Sequence, residues 1–202
     1  MALPESELSK QGIEAQMATN VMGHFLLLSL LFDRIQRAPQ ARVVLVGSQF
    51  FRIANGKIDF DDFNRVKTYR PWQVYGETKL GTLLILARLN RLLERKGRTN
   101  VMVVSGHPGY SNTGIHRFTF AKYFSPLFAQ SASESAKSIV FAATDPGAQR
   151  NGYAGPSYLM QLYGPPRWSD KPPCKEMFDE AFQDRFWQKC EELTQAGLED
   201  KL

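Results

Sequence analysis

The sequence has 202 residues, of which 43% are hydrophobic, a length that allows one sizeable core and favours a single domain over residues 1–202. This composition excludes an intrinsically disordered chain, and two cysteines, Cys174 and Cys190, are too few for a disulfide-stabilised scaffold. Lysine and arginine exceed aspartate and glutamate by 25 to 20, but they are scattered along the chain, so a nucleic-acid partner is not indicated.

The first half of the chain alternates between predicted helices and strands. Apolar residues recur at helical spacing over 17–35, and residues 42–48 read as a short apolar strand of the kind that is covered on both faces. A second helix is predicted over about 73–95 and a second strand over 101–105. Because strand, helix and strand follow one another, a right-handed crossover makes the two strands parallel.

The remaining segments continue this pattern less regularly. Residues 49–71 are polar and predicted to be irregular, whereas a third helix is expected over 133–144 and a further strand over 153–159. A proline-rich loop follows over 165–173, and the chain ends in a helix over about 176–196. The alternation of elements predicts an α/β fold built on a parallel sheet.

The sequence shows no targeting signal or membrane segment. Residues 1–5 lack the basic start and apolar core of a secretory signal, and the longest apolar run, Phe25 to Phe32, is shorter than the roughly 20 residues of a membrane helix. With so few cysteines, these features predict a soluble protein in a reducing compartment, the cytoplasm.

Polar residues fall where a parallel sheet binds its ligands, at the carboxyl ends of the strands. Ser48 ends the first predicted strand, and Gly106–Gly109 follow the second. Tyr75 lies near the start of the helix that leaves this edge, with Lys79 one turn later on the same face. A nearby cation lowers the pKa of a phenol, which can then exchange a proton with a carbonyl or alcohol oxygen, while a serine hydroxyl holds that oxygen. The pattern indicates carbonyl reduction or alcohol oxidation with hydride from a separate group.

Each of these residues also has a simpler interpretation. A Tyr-x-x-x-Lys spacing occurs by chance in a chain with seven tyrosines, Ser48 can be a turn residue, and Pro108–Gly109 an ordinary turn. Asn20 can be a buried, hydrogen-bonded amide. Their order and their placement at strand ends favour the functional interpretation. The three histidines form no metal-binding set and are expected to be structural or exposed: His24, His107 and His116.

Four segments together resemble the short-chain dehydrogenase/reductase family. They are Ala18–Leu27 with Asn20, Val43–Ser48, Tyr75–Lys79, and His107–Gly109 followed by Thr113. The wide spacing from Ser48 to Tyr75 resembles the retinol-dehydrogenase and WW-domain-oxidoreductase branch. The resemblance covers nearly the whole chain. It implies the C-terminal part of a Rossmann-type, doubly wound parallel sheet in three layers, and an NAD(P)-dependent enzyme that interconverts an alcohol and a carbonyl.

The resemblance also implies roles for individual residues. Tyr75 matches the proton donor or acceptor, and Lys79 the lysine that lowers its pKa and binds the nicotinamide ribose. Ser48 matches the serine that holds the substrate oxygen, and Asn20 the asparagine that supports a water beside the lysine. The residues implied to contact NADP or NAD are Tyr75, Lys79, Pro108, Gly109 and Thr113.

Two further segments have implied functions. Residues 114–131 match the variable substrate lid, and their aromatic side chains favour a lipophilic, retinoid-like substrate. Residues 174–202 are expected to form a helical tail. The competing hypothesis is a catalytically inactive, truncated relative that acts as an interaction module and forms a homodimer through helices 17–35 and 73–95.

The chain departs from the family at its N-terminal side. Such domains begin with a strand, a glycine-rich turn and a helix whose amide groups hold the cofactor pyrophosphate. No Gly-x-Gly pair occurs in this sequence. The chain is therefore expected to bind a dinucleotide weakly, and its sheet is expected to have an unpaired edge beside apolar helix faces.

Overall fold

The computed structural model describes residues 2–111 and 129–202. Helix α1 consists of Ala15–Met17, a π-helical turn over Ala18–Met22, and Gly23–Ile35. The later helices and strands are β1 (Ala41–Val46), α2 (Pro71–Arg95), β2 (Val101–Gly106), α3 (Ala132–Thr144), β3 (Tyr153–Tyr158), β4 (Tyr163–Trp168) and α4 (Glu180–Thr194). Short 3₁₀ helices lie at Gln49–Ala54, Glu176–Phe178 and Glu199–Lys201.

The four strands form one sheet in the order β1-β2-β3-β4. Strands β1 and β2 are parallel, with Ala41 opposite Val101 and Val46 opposite Gly106, and β3 pairs in parallel with the end of β2. Strand β4 pairs antiparallel with β3. Helix α2 connects β1 to β2, so the predicted parallel crossover is confirmed.

Helices cover both faces of the sheet. On one face α3 packs over a small cluster that includes Val104, Ala142 and Ala154. On the other face α1, α2 and α4 enclose the main core, in which Phe32, Leu84, Phe186 and Trp187 are almost fully buried. These three layers confirm the predicted α/β class and its Rossmann-like arrangement.

Helix α2 lies inside the protein for nearly its whole length, with most residues from Val74 to Leu93 buried. Gly81 allows α4 to approach closely, because a Cβ atom there would lie 2.4 Å from the Phe186 ring. Helix α1, in contrast, exposes Leu27 and Leu30. Of the two helices predicted to form a dimer, only α1 therefore has an extensive exposed apolar surface.

Two segments differ from the predicted elements. Strand β4 lies partly within the residues expected to form a proline-rich loop. It is an edge strand, and Pro165 and Pro166 are tolerated there because an edge strand does not need every backbone N–H for pairing. The segment expected to be irregular contains the 3₁₀ helix Gln49–Ala54, which ends at Asn55 in the left-handed region with φ of 49°. Both differences bring additional side chains to the carboxyl end of the sheet.

Strand β1 lies at an edge of the sheet, and among the described residues it pairs with β2 alone. A groove lined by apolar side chains runs between this edge and α1; its walls include Leu27, Leu31 and Val43. The described part of the chain thus has the open edge and the apolar helix face that the sequence predicted.

The sequence predicted no segment long enough to span a membrane, and helix α1 contradicts that prediction. Over Ala15–Ile35 it has sufficient length and hydropathy, because the helix extends beyond the apolar run of the sequence. Half of the residues in its apolar window are buried inside the protein, as in a core helix. The helix is therefore weak evidence for a membrane location.

Candidate active site

A cavity of about 130 Å³ opens at the carboxyl ends of β1 and β2. The structure brings together five of the predicted site residues in its walls: Ser48, Tyr75, Lys79, Pro108 and Gly109. Ser48 and the Pro-Gly segment follow the ends of the two strands, whereas Tyr75 and Lys79 lie in the first three turns of α2. The structure therefore has a cavity at the sheet edge where the sequence predicted a ligand site.

Ser48 lies directly between the end of β1 and the following 3₁₀ helix. Its side chain accepts a hydrogen bond from the backbone N–H of Phe50 at 3.3 Å, which fixes the start of that helix. The Ser48 hydroxyl also lies close enough to the Tyr75 phenol to lower its pKa. Serine and tyrosine therefore lie side by side in the cavity wall, as a shared substrate oxygen requires.

Lys79 is buried beside Tyr75 on the same face of α2. Its Nζ donates a hydrogen bond to the carbonyl oxygen of Val46 at 2.9 Å and lies 5.7 Å from the centroid of the Tyr75 ring. Burial lowers the pKa of Lys79 from 10.5 to about 8, so the ammonium form still predominates at neutral pH. The lysine places a positive charge next to the phenol.

The direction of the Tyr75 pKa differs from the sequence expectation. Burial raises the pKa of Tyr75, and the hydrogen bond from Ser48 only partly offsets that effect. The ammonium of Lys79 donates to the Val46 carbonyl and does not reverse the shift. In this state Tyr75 is a neutral phenol that has a proton to donate.

Asn20 lies outside the main cavity. It belongs to the π-helical turn of α1, is 5% exposed, and donates from Nδ2 to the hydroxyl of Thr78 at 3.2 Å. It lines a separate, smaller cavity together with Val46 and Thr82. The structure thus places Asn20 against the helix that carries Lys79, with β1 between the two cavities at Val46.

The Pro108–Gly109 turn forms the wall opposite the helix. Gly109 has a φ of +79°, and a Cβ atom there would lie 2.5 Å from the carbonyl oxygen of Leu162, so the turn requires glycine. Thr113 and residues 114–128 of the predicted lid lie outside the described residues. Their predicted roles stay predictions.

Sequence comparisons identify the family of this chain. No family model matches it. Human WW domain-containing oxidoreductase is 34% identical over 155 residues, which are 72% of this chain and 37% of the relative. Human retinol dehydrogenase 13 is 30% identical over 202 residues, covering 95% of this chain and 56% of the relative. The chain belongs to the short-chain dehydrogenase/reductase family.

Further comparisons agree with this assignment to the family. The chloroplastic short-chain dehydrogenase TIC 32 A of Brassica napus is 36% identical over 118 residues, 55% of this chain and 36% of the relative. The crystal structure of an uncharacterized protein from Mycobacterium paratuberculosis superposes with a TM-score of 0.75 at 28% identity, over 98% of this chain and 65% of that one. The chain spans about a third to just over half the length of these curated relatives, which are named as oxidoreductases and dehydrogenases.

Within this member of the short-chain dehydrogenase/reductase family, the cavity has walls that the sequence did not reveal. Phe50, Trp72 and Tyr75 form an aromatic cluster with ring centroids 5.0 to 6.0 Å apart. Trp72 lies one helical turn before Tyr75, a spacing that could have placed it on the same face. Leu162, from the β3–β4 connection, also lines the cavity, but no local signal connects it with the site.

Proposed function

We propose that the chain carries the catalytic centre of an NAD(P)-dependent oxidoreductase that interconverts an alcohol and a carbonyl. The observation that supports this most strongly is the meeting of Ser48, Tyr75 and Lys79 in one buried cavity. A phenol, a neighbouring hydroxyl and an adjacent ammonium form a set suited to proton transfer at one oxygen atom.

Ser48, Tyr75 and Lys79 are proposed to act at the oxygen atom of the carbonyl group. The nicotinamide cofactor supplies the hydride when bound. In the reducing direction the carbonyl carbon gains that hydride, while its oxygen takes the proton of the Tyr75 phenol and is held by the Ser48 hydroxyl. The positive charge of Lys79 stabilises the phenolate that forms, and solvent returns the proton to it. Oxidation of the alcohol follows the same path in reverse.

The cavity fits the nicotinamide end of this cofactor. Pro108 and Gly109 line one wall of the cavity, and the Tyr75 hydroxyl and the Lys79 ammonium in the opposite wall would hold the nicotinamide ribose. Among residues 2–111 and 129–202, no glycine-rich turn between a strand and a helix offers amide groups to a pyrophosphate. We therefore propose that this chain alone binds either NADP or NAD weakly.

Titration with reduced cofactor tests this part of the proposal. We expect NADPH and NADH to bind with Kd values above about 100 μM, because only part of the cofactor is held. The quantity to measure is the change in nicotinamide fluorescence on addition of purified chain, with Lys79→Met as a control that weakens ribose contacts further. A Kd in the low-micromolar range for either cofactor would contradict the proposed weak binding.

The substrate is proposed to be lipophilic, possessing one alcohol or carbonyl group. Phe50, Trp72, Leu162 and Tyr110 supply apolar or aromatic walls around the polar centre. An apolar body with one oxygen at Ser48 fits such a cavity. A cytoplasmic location belongs to the same proposal and agrees with the two free cysteines.

A non-catalytic interaction module is the second candidate, and the exposed surface along α1 and β1 favours it. We expect the chain to self-associate, and Leu27→Glu combined with Leu31→Glu to yield a monomer, because two charges would then lie in the apolar groove. Sedimentation velocity measures the change. Val140→Glu, equally exposed on α3, serves as the control and should not alter the mass. A wild-type chain that is monomeric at high concentration would refute association through this surface.

A further inference from the structure

His107 is a buried side chain with unused hydrogen-bonding capacity. The residue is 4% exposed, and within the described part of the chain neither ring nitrogen has a hydrogen-bond partner of standard geometry. Buried polar atoms are nearly always paired, because an unpaired one keeps the cost of leaving water. Among residues 2–111 and 129–202, this imidazole therefore lacks a partner of standard geometry and has the capacity to bind one.

The ring of His107 is fixed at the wall of the cavity. The backbone N–H of His107 donates to the carbonyl oxygen of Ala154 at 2.7 Å, and its ring stacks on Tyr153 with centroids 6.1 Å apart and planes 24° apart. Pro108 follows directly and limits the backbone further. His107 lines the cavity together with Tyr75 and Lys79. The ring is therefore held where a bound molecule would meet it.

We propose that His107 is a ligand-binding residue of this cavity, where it hydrogen-bonds a neutral polar group of the ligand beside Lys79. The inference rests on the proposed function, since it concerns the same cavity, and it assigns to His107 more than the structural role that the sequence indicated. It is carried by the two unpartnered nitrogens, the burial of the ring and its place in the wall.

The charge state of the ring defines the kind of group it binds. Burial lowers the pKa of His107 to about 4; the backbone of Gln161 partly opposes this effect, and the charge of Lys79 adds a smaller lowering. At neutral pH the ring is uncharged and has one N–H donor and one acceptor nitrogen. It therefore suits an amide or a hydroxyl group better than a carboxylate. The carboxamide of nicotinamide and the hydroxyl of an alcohol substrate are the two sources of this chemistry.

Imidazole NMR on the full chain tests the inference directly. The sequence has only three histidines, so the ring ¹⁵N signals of His107 can be assigned by their loss in His107→Gln, and His24 serves as an internal reference. Nicotinamide and cyclohexanol are added separately. We expect one of them to shift the His107 signals saturably and to leave those of His24 in place. A response to nicotinamide assigns His107 to the cofactor, and a response to cyclohexanol assigns it to the substrate.

Two variants measure how much the ring nitrogens contribute. His107→Phe keeps a planar ring against Tyr153 but has no nitrogen, whereas His107→Gln keeps a donor and an acceptor. Followed through the methyl signals of Leu162, the Kd of the responding probe is expected to rise about tenfold in His107→Phe and less than about threefold in His107→Gln.

Several outcomes would overturn the inference. They are a Leu162 response without a His107 response, equal affinity of wild type and His107→Phe, and no response of any cavity signal to either probe. If His107→Phe does not fold, the titration of the wild-type chain decides alone. A wild-type chain that binds a probe at His107 but oxidises no NADPH or NADH would refute the proposed enzyme activity and leave the His107 inference standing.

Discussion

Replacing Tyr75 with phenylalanine is expected to reduce kcat about 10³-fold, because the reacting oxygen loses the group that exchanges a proton with it. Tyr75 is buried beside Ser48, so no water molecule takes the place of its phenol without rearrangement of the cavity. The aromatic ring remains in contact with Phe50 and Trp72, and the fold should therefore persist. The measurement is the rate of NADPH or NADH oxidation with a lipophilic ketone at saturating cofactor.

Tyr163→Phe provides the matched control for this prediction. Tyr163 lies on β4, is 46% exposed and is absent from the described walls of the cavity, so the same change of side chain should leave kcat unaltered. Thermal unfolding followed by circular dichroism checks that both variants fold. A Tyr75→Phe protein that retains more than about a tenth of wild-type kcat would exclude Tyr75 as the general acid, and a wild-type chain with no turnover at any cofactor concentration would exclude the proposed activity.

The location of the three proposed catalytic residues could be predicted from sequence because each lies in or directly after a regular element. Ser48 ends an apolar strand, and Tyr75 and Lys79 are one turn apart on an amphipathic helix that leaves the same sheet edge. Strand ends and helical spacing can be recognised from local sequence, and in a parallel sheet the residues at these positions lie at the same edge. The positions of these three residues needed no long-range information.

Other parts of the site depend on contacts between distant segments. Leu162 reaches the cavity because the chain turns back after β3 and forms β4, which pairs antiparallel with β3. Strand β4 was not predicted because it contains two prolines. His107 follows β2, but its unpaired nitrogens become visible only once Tyr153 and Ala154 are known to pack against it. The pKa of Tyr75 was expected to fall and instead is raised, because burial depends on the whole surrounding structure.

Burial of the Lys79 ammonium is expected to lower the free energy of unfolding of this protein. An unfolded lysine has a pKa of 10.5, whereas burial lowers the pKa of Lys79 to about 8 in the folded chain. Below pH 8 the folded state must therefore keep a desolvated ammonium that the unfolded chain hydrates freely. Between pH 8 and 10.5 the folded state binds fewer protons than the unfolded state, so this cost disappears as the pH rises.

Lys79→Met is consequently expected to stabilise the protein by about 1–3 kcal/mol at pH 7 and to abolish activity. The gain should shrink toward zero as the pH approaches 10, because the wild-type lysine then loses its proton on folding. Urea unfolding of both proteins at neutral and at alkaline pH measures the difference. Lys137→Met, which removes an exposed lysine paired with Glu134 on α3, should change stability by less than about 0.5 kcal/mol at either pH.

The opposite result would be equally informative about the site. If Lys79→Met is less stable than the wild type at pH 7, the hydrogen bond to the Val46 carbonyl outweighs the desolvation of the ammonium, and Lys79 is a structural residue. If the variant is more stable but the gain does not depend on pH, packing and not charge is the cause. A gain in stability that fades with rising pH, together with loss of activity, is the behaviour expected of a lysine retained in the interior for its charge beside Tyr75.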